Sequence, residues 1–154
     1  MLPKYHIIIG FVFSIVLYLV FPEISYLEAG IVFLSSILID FDHYVYYFYK
    51  KRSLSLKKAY NWFLKKKAYF DKLSPEKRKA YSSGSFLFLH NIEILIIILV
   101  LSFFSEIFFF VFLGFSIHLL TDWFVDWPYW RRIYKFSIIK DFINNKKLKK
   151  PFIK

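Results

Sequence analysis

The sequence predicts an all-α polytopic membrane protein: four transmembrane helices in two hairpins, with a basic interfacial helical segment between the second and third. Composition is the first reason. The 154-residue chain is 58% apolar and 24% aromatic, above the roughly 45–50% apolar content of soluble domains. Charge patterning is the second: the charged residues stand in blocks between apolar stretches instead of being mixed through them. The third is length. Four apolar stretches approach the ~20 residues that a bilayer-spanning helix needs, and a chain of this size holds one domain, residues 1–154, and hardly two.

The first span covers about residues 5–21 and is ended by Pro22. Lys4 before an apolar run resembles a signal peptide, but no small-residue cleavage pattern follows, so the segment reads as a retained helix. The second span covers about residues 28–49. The third runs over 86–104 and the fourth over 106–127, stopped by Pro128. Short turns join the members of each pair.

Residues 50–85 form the basic segment between the hairpins. "LKKAYNWFLKKKAYF" reads as an aromatic-studded helix, and in "SPEKRKA" Ser74 can cap a helix with Pro75 in its first turn. Its simplest role is to lie on anionic lipid headgroups, with Trp62, Phe63 and Phe70 dipping inward. The lysine-rich tail, 131–154, follows the fourth span.

Lysine and arginine set the expected orientation. Twelve of the twenty-two lie in 50–85, nine lie in the tail, and the last is Lys4. The short turns carry Glu23, Glu28 and Glu106 instead. Both termini and the central segment are therefore expected on the cytoplasmic side of the cell membrane. Tyr44, Tyr46, Tyr47 and Tyr49, with Trp123, Trp127, Tyr129 and Trp130, fit an aromatic belt on that side. The net charge of +11 is explained by this topology, so a nucleic-acid partner is not expected. There is no cysteine, which excludes disulfides, thiolate metal sites and cysteine nucleophiles.

Placed on this topology, the polar residues inside the spans gather at one depth. The four histidines, His6, His43, His90 and His118, fall one to a span and all toward the cytoplasmic ends. Asp40, Asp42, Glu93, Asp122 and Asp126 join them. His118 and Asp122 are spaced i, i+4 and share a helix face; Asp40 with His43, and His90 with Glu93, are spaced i, i+3. Asp42 lies about 100° around the helix from His43, at the edge of such a site. One turn deeper the same faces carry Gly10, Ser36 and Gly114, small residues that let membrane helices approach closely.

Buried acids in a membrane are expensive, about 2.5–3.5 kcal/mol each at a helix centre. A divalent cation would offset that, because carboxylates and neutral imidazoles are its ligands. The expected metal ligands are His6, Asp40, Asp42, His43, His90, Glu93, His118 and Asp122. A nitrogen-and-oxygen set without cysteine suits Zn, with Mn or Fe as alternatives, and eight donors leave room for one ion or two. Glu93 and Asp42 are the candidates for a general base.

"LIDFDH" (38–43) resembles the "PDxDH" segment of the YdjM-like predicted membrane-bound metal-dependent hydrolases, and "GFSIHLLTDW" (114–123) is similar to that family's late H-x-x-x-D element. His6 corresponds to the early histidine of the first helix. Ile39 replaces the usual proline. The family's "H-R-G-x-T-H" element is reduced here to "SSGSFLFLHNIE", in which only His90 matches a histidine. The resemblance implies a metal-dependent hydrolase. The basic interface adds an expected anionic substrate, a phosphoester or a lipid headgroup. Metal-ion or proton transport, haem binding and a purely structural polar zipper are the competing classes. Transport is disfavoured because the far ends of the spans carry no charge apart from the glutamates at the short turns, and haem because acids accompany the imidazoles.

Overall fold

The computed structural model describes residues 3–79, 87–130, 137–139 and 143. Seven helices are assigned among them: α1 (Pro3–Val20), α2 (Tyr26–Leu38), α3 (Phe41–Lys51), α4 (Leu56–Asp71), α5 (Pro75–Lys79), α6 (Ile92–Ser102) and α7 (Glu106–Trp130). No strand occurs among the described residues.

Three stretches are long and apolar enough to cross a membrane: Pro3–Val20, Tyr26–Lys51 and Glu106–Pro128. The expected third span is realised differently. Its helix α6 has 11 residues, about 16 Å at 1.5 Å per residue, and residues 87–91 before it are irregular. Two ends also differ from expectation. Ser25 and Glu28 form a reciprocal capping box, so the second stretch starts as helix at Tyr26. Pro128 lies within α7, which continues to Trp130.

The packing of α1 is inside out by the standard of a soluble protein. Its buried residues are His6, Gly10 and Ser14, at i, i+4 and i+8. Its exposed ones include Ile8, Phe11, Val12, Ile15 and Leu19, the last 71% accessible. A polar, small inner stripe with an apolar outer face is stable only where the surroundings are themselves apolar.

Helix α2 packs against both α1 and α7, and α6 packs on α7. Two glycines set how closely. A Cβ on Gly10 would overlap the Ser36 hydroxyl, and one on Gly114 would overlap the Ser35 hydroxyl and the Val32 carbonyl. The small residues expected at close crossings are thus where the backbones meet. Ile39, Ile94, Ile98, Phe115 and Leu119 form the apolar core beside this contact.

Helix α4 begins at Ser55, whose hydroxyl accepts from Lys58 N–H, and Ser74 caps α5 in the same way. The aromatic face of α4 turns to the protein, not into the lipid as expected. Phe70 is buried, and Trp62 stacks near Tyr46 and Tyr47, with ring centroids 6.1 and 5.8 Å apart. Of the expected belt, Tyr49 and Trp127 are exposed and Tyr47 is buried; the Tyr129 and Trp130 side chains lie outside the described residues, as does most of the tail.

Candidate metal centre

The polar residues come together where two helices are interrupted. Between α2 and α3 the chain makes a turn at Ile39–Asp40. There Asp40 N–H bonds to the Ile37 carbonyl, not to the Ser36 carbonyl that a continuous α-helix would use. The released Ser36 carbonyl accepts from His118 Nδ1 at 2.7 Å. A carbonyl only accepts, so that nitrogen carries the proton and Nε2 of His118 presents its lone pair.

His90 is held in a parallel way from the second interruption. Its Nδ1 donates to Asp42 Oδ2 at 3.0 Å, and Leu89 N–H donates to the same oxygen at 3.0 Å. Asn91, 1% exposed, ties this irregular stretch together by donating from Nδ2 to the Leu87 and Phe88 carbonyls. Asn91 was not singled out by the sequence. Its one signal is an N-cap residue type just before the apolar run of α6.

With both Nδ1 atoms donating outward, the two Nε2 atoms face each other 3.2 Å apart. Asp40 Oδ1 lies 3.6 Å from Nε2 of His90 and 3.8 Å from that of His118. Asp122 Oδ2 lies 3.7 Å from each. Each carboxylate oxygen therefore lies close to both imidazole lone pairs. Donors around a tetrahedral ion with bonds of about 2.0–2.1 Å are separated by about 3.3–3.4 Å, close to these distances. The donor set fits a divalent cation. The unmet acceptors fit it too: Asp40 Oδ2 and Asp42 Oδ1 are buried with no hydrogen-bond partner.

The remaining histidines flank this centre. His6 stacks face to face on His118, ring centroids 3.8 Å apart, and its Nε2 lies 3.2 Å from Asp122 Oδ1. His43 stands edge-on to His90 at 5.0 Å, with Nε2 3.6 Å from Asp40 Oδ1. Three groups of donors are close enough to hold an ion: His6, His118 and Asp122; Asp40, His90 and His118; Asp42, His43 and His90. Seven of the eight expected ligands are thereby brought together.

Glu93 is in none of these groups. The irregular residues through Asn91 remove His90 from the helical register, so the expected i, i+3 pairing is not made. Glu93 instead accepts from the Ser137 hydroxyl at 2.6 Å and from Ile138 N–H at 3.1 Å. Asp126 is half-buried and also outside the three groups.

The site defines a class of molecule: an all-helical protein with three helices apolar enough to cross a membrane and a buried histidine–aspartate cluster able to bind metal. No family model matches the chain, and no curated protein or solved structure matches it either.

Proposed function

We propose that the chain is a membrane-embedded metal-dependent hydrolase whose centre opens toward the cytoplasmic leaflet and whose substrate is a phosphoester or a lipid headgroup. The observation that carries this reading is the meeting of His90 Nε2 and His118 Nε2 at 3.2 Å, with Asp40 Oδ1 and Asp122 Oδ2 each within 3.8 Å of both nitrogens. Such a concentration of acceptors in an apolar surrounding is unfavourable unless a cation joins it. The motif resemblance of residues 38–43 and 114–123 to the YdjM-like hydrolases supports the same class.

His90, His118, Asp40 and Asp122 would hold a divalent ion, Zn by preference for the donor set and Mn or Fe as alternatives. An ion so held supplies Lewis-acid polarisation of the reacting group and an acidified water. Asp42 and the Ser36 carbonyl orient the two imidazoles by their Nδ1 protons, a role that raises ligand basicity. Asp42 Oδ1, buried and without a hydrogen-bond partner, is the oxygen best able to hold a proton during turnover. Glu93 serves the 137–138 turn in this reading. His6 supports Asp122, and His43 borders Asp40 on the more open side, its side chain 26% accessible.

The test is hydrolysis by the purified, metal-loaded protein of a panel of soluble phosphoesters and phospholipids. Release of phosphate or headgroup that is lost in chelator and restored by Zn, Mn or Fe supports the proposal. A metal-loaded protein that hydrolyses neither class, while moving the ion across proteoliposomes, would replace it with transport.

A further inference from the structure

The outside of α4 divides into three sectors, each about a third of a turn from the next. The first holds Ala59, Trp62, Phe63 and Phe70 and packs on the protein; its Phe63 ring stands edge-on to His43 with centroids 5.1 Å apart. The second holds Leu56, Tyr60 and the half-buried Leu64 at i, i+4 and i+8 in the first turns, and the exposed Lys67–Asp71 ion pair in the last ones. Leu56 is 69% accessible and Tyr60 47%, although the helix already has one apolar face buried. The third carries Lys58 and Lys65, both exposed, with Lys57 on the border of the second.

A helix in water has no use for a second apolar stripe, and one within a bilayer has no use for a lysine sector. Between the two media both are satisfied. The position of α4 agrees. It starts five residues after Lys51, the end of a stretch long enough to span a membrane, and the Tyr44 hydroxyl holds Leu54 of the linker by donating to its carbonyl at 2.6 Å. The apolar stripe is therefore tied close to the end of that stretch. Charge decides which membrane surface: Lys50, Lys51, Lys57, Lys58 and Lys65 are all exposed, and basic residues beside a spanning segment are drawn to anionic headgroups.

We infer that the Leu56–Tyr60–Leu64 face of α4, with its bordering lysines, is a docking surface for an anionic bilayer surface. The lipid contact seats from outside the same helix whose Phe63 roofs His43 from within. The inference rests on the membrane reading of the long helices and not on the metal.

The chain has no cysteine, so Leu56→Cys, Tyr60→Cys, Lys58→Cys and Lys65→Cys each give one spin-label position in the otherwise native protein. Each is reconstituted into phosphatidylcholine vesicles with or without phosphatidylserine, and collision with oxygen is compared with collision with a nickel chelate. With phosphatidylserine, labels at 56 and 60 should favour oxygen several-fold over those at 58 and 65, and the contrast should weaken in phosphatidylcholine alone. Equal values at all four positions overturn the inference; an unchanged contrast without phosphatidylserine overturns its anionic part. A Val12→Cys label on α1 separates the two levels. If it favours oxygen while 56 and 60 do not, the docking surface alone fails; if it too collides with nickel, the membrane reading fails.

Discussion

Helices α1 and α7 bring their site residues to the centre by regular periodicity, whereas α2–α3 and residues 87–91 bring theirs by breaking it. His6, His118 and Asp122 stand on unbroken helices, one turn above Gly10 and Gly114, and their place follows from 3.6 residues per turn. Asp40, Asp42, His43 and His90 stand at interruptions, where backbone groups released from the helical ladder become part of the site. The Ser36 carbonyl fixes His118, and the Leu89 N–H fixes Asp42. The regular helices supply candidate ligands at a set spacing; the broken ones supply candidate ligands together with the groups that aim them.

Four substitutions probe this division, from the largest expected effect to the smallest. His118→Ala removes the link between the two regions. It should abolish metal retention by elemental analysis. Because it strands the Ser36 carbonyl, it should also lower stability by about 1–3 kcal/mol in the chelated protein. A full loss of metal with unchanged apo-protein stability would mean that the carbonyl does not hold the ring. Gly114→Ala acts on the regular side by forcing a Cβ against Ser35 and the Val32 carbonyl. Overpacking of this kind costs about 1–3 kcal/mol, read as a lower melting temperature in detergent, and it should weaken metal binding by separating His118 from Ser36.

Asp42→Asn acts on the broken side. It keeps the shape of the side chain but removes the charge that orients His90, and changes of this type weaken metal binding about 10–100-fold. Competition with a chromogenic chelator measures it, and an affinity within experimental error of the wild type would assign Asp42 no part in positioning. The smallest effect belongs to Arg52, which ends α3 in the left-handed region at φ 52°. Glycine is at ease there, so Arg52→Gly should stabilise the fold by up to about 1 kcal/mol without altering the metal.

The same division explains what was legible in the sequence. The helical class, the long apolar stretches and the gathering of the four histidines follow from residue types and the order of the apolar stretches. So do the Gly10, Ser36 and Gly114 contacts, because small residues on a ligand-bearing face have few other uses in a membrane. What escaped was set by departures from periodicity. The pairing of His90 with Glu93 assumes that the helix reaches His90, but it starts at Ile92, so His90 finds Asp42 across the structure. The shortness of α6 has the same origin. The sequence points the aromatic face of α4 toward lipid because an amphipathic pattern does not say which of two apolar surroundings it meets.

The proposed function rests on one metal centre held by His90 and His118 with Asp40 and Asp122. X-ray absorption on the purified protein, loaded with Zn and washed free of excess, tests it most directly. The expected result is a stoichiometric ion whose nearest shell holds two imidazole nitrogens with carboxylate oxygens at about 2.0–2.2 Å, and a spectrum that loses one imidazole in His90→Ala. A protein that keeps no Zn after the wash, and whose melting temperature is the same with and without chelator, would contradict it.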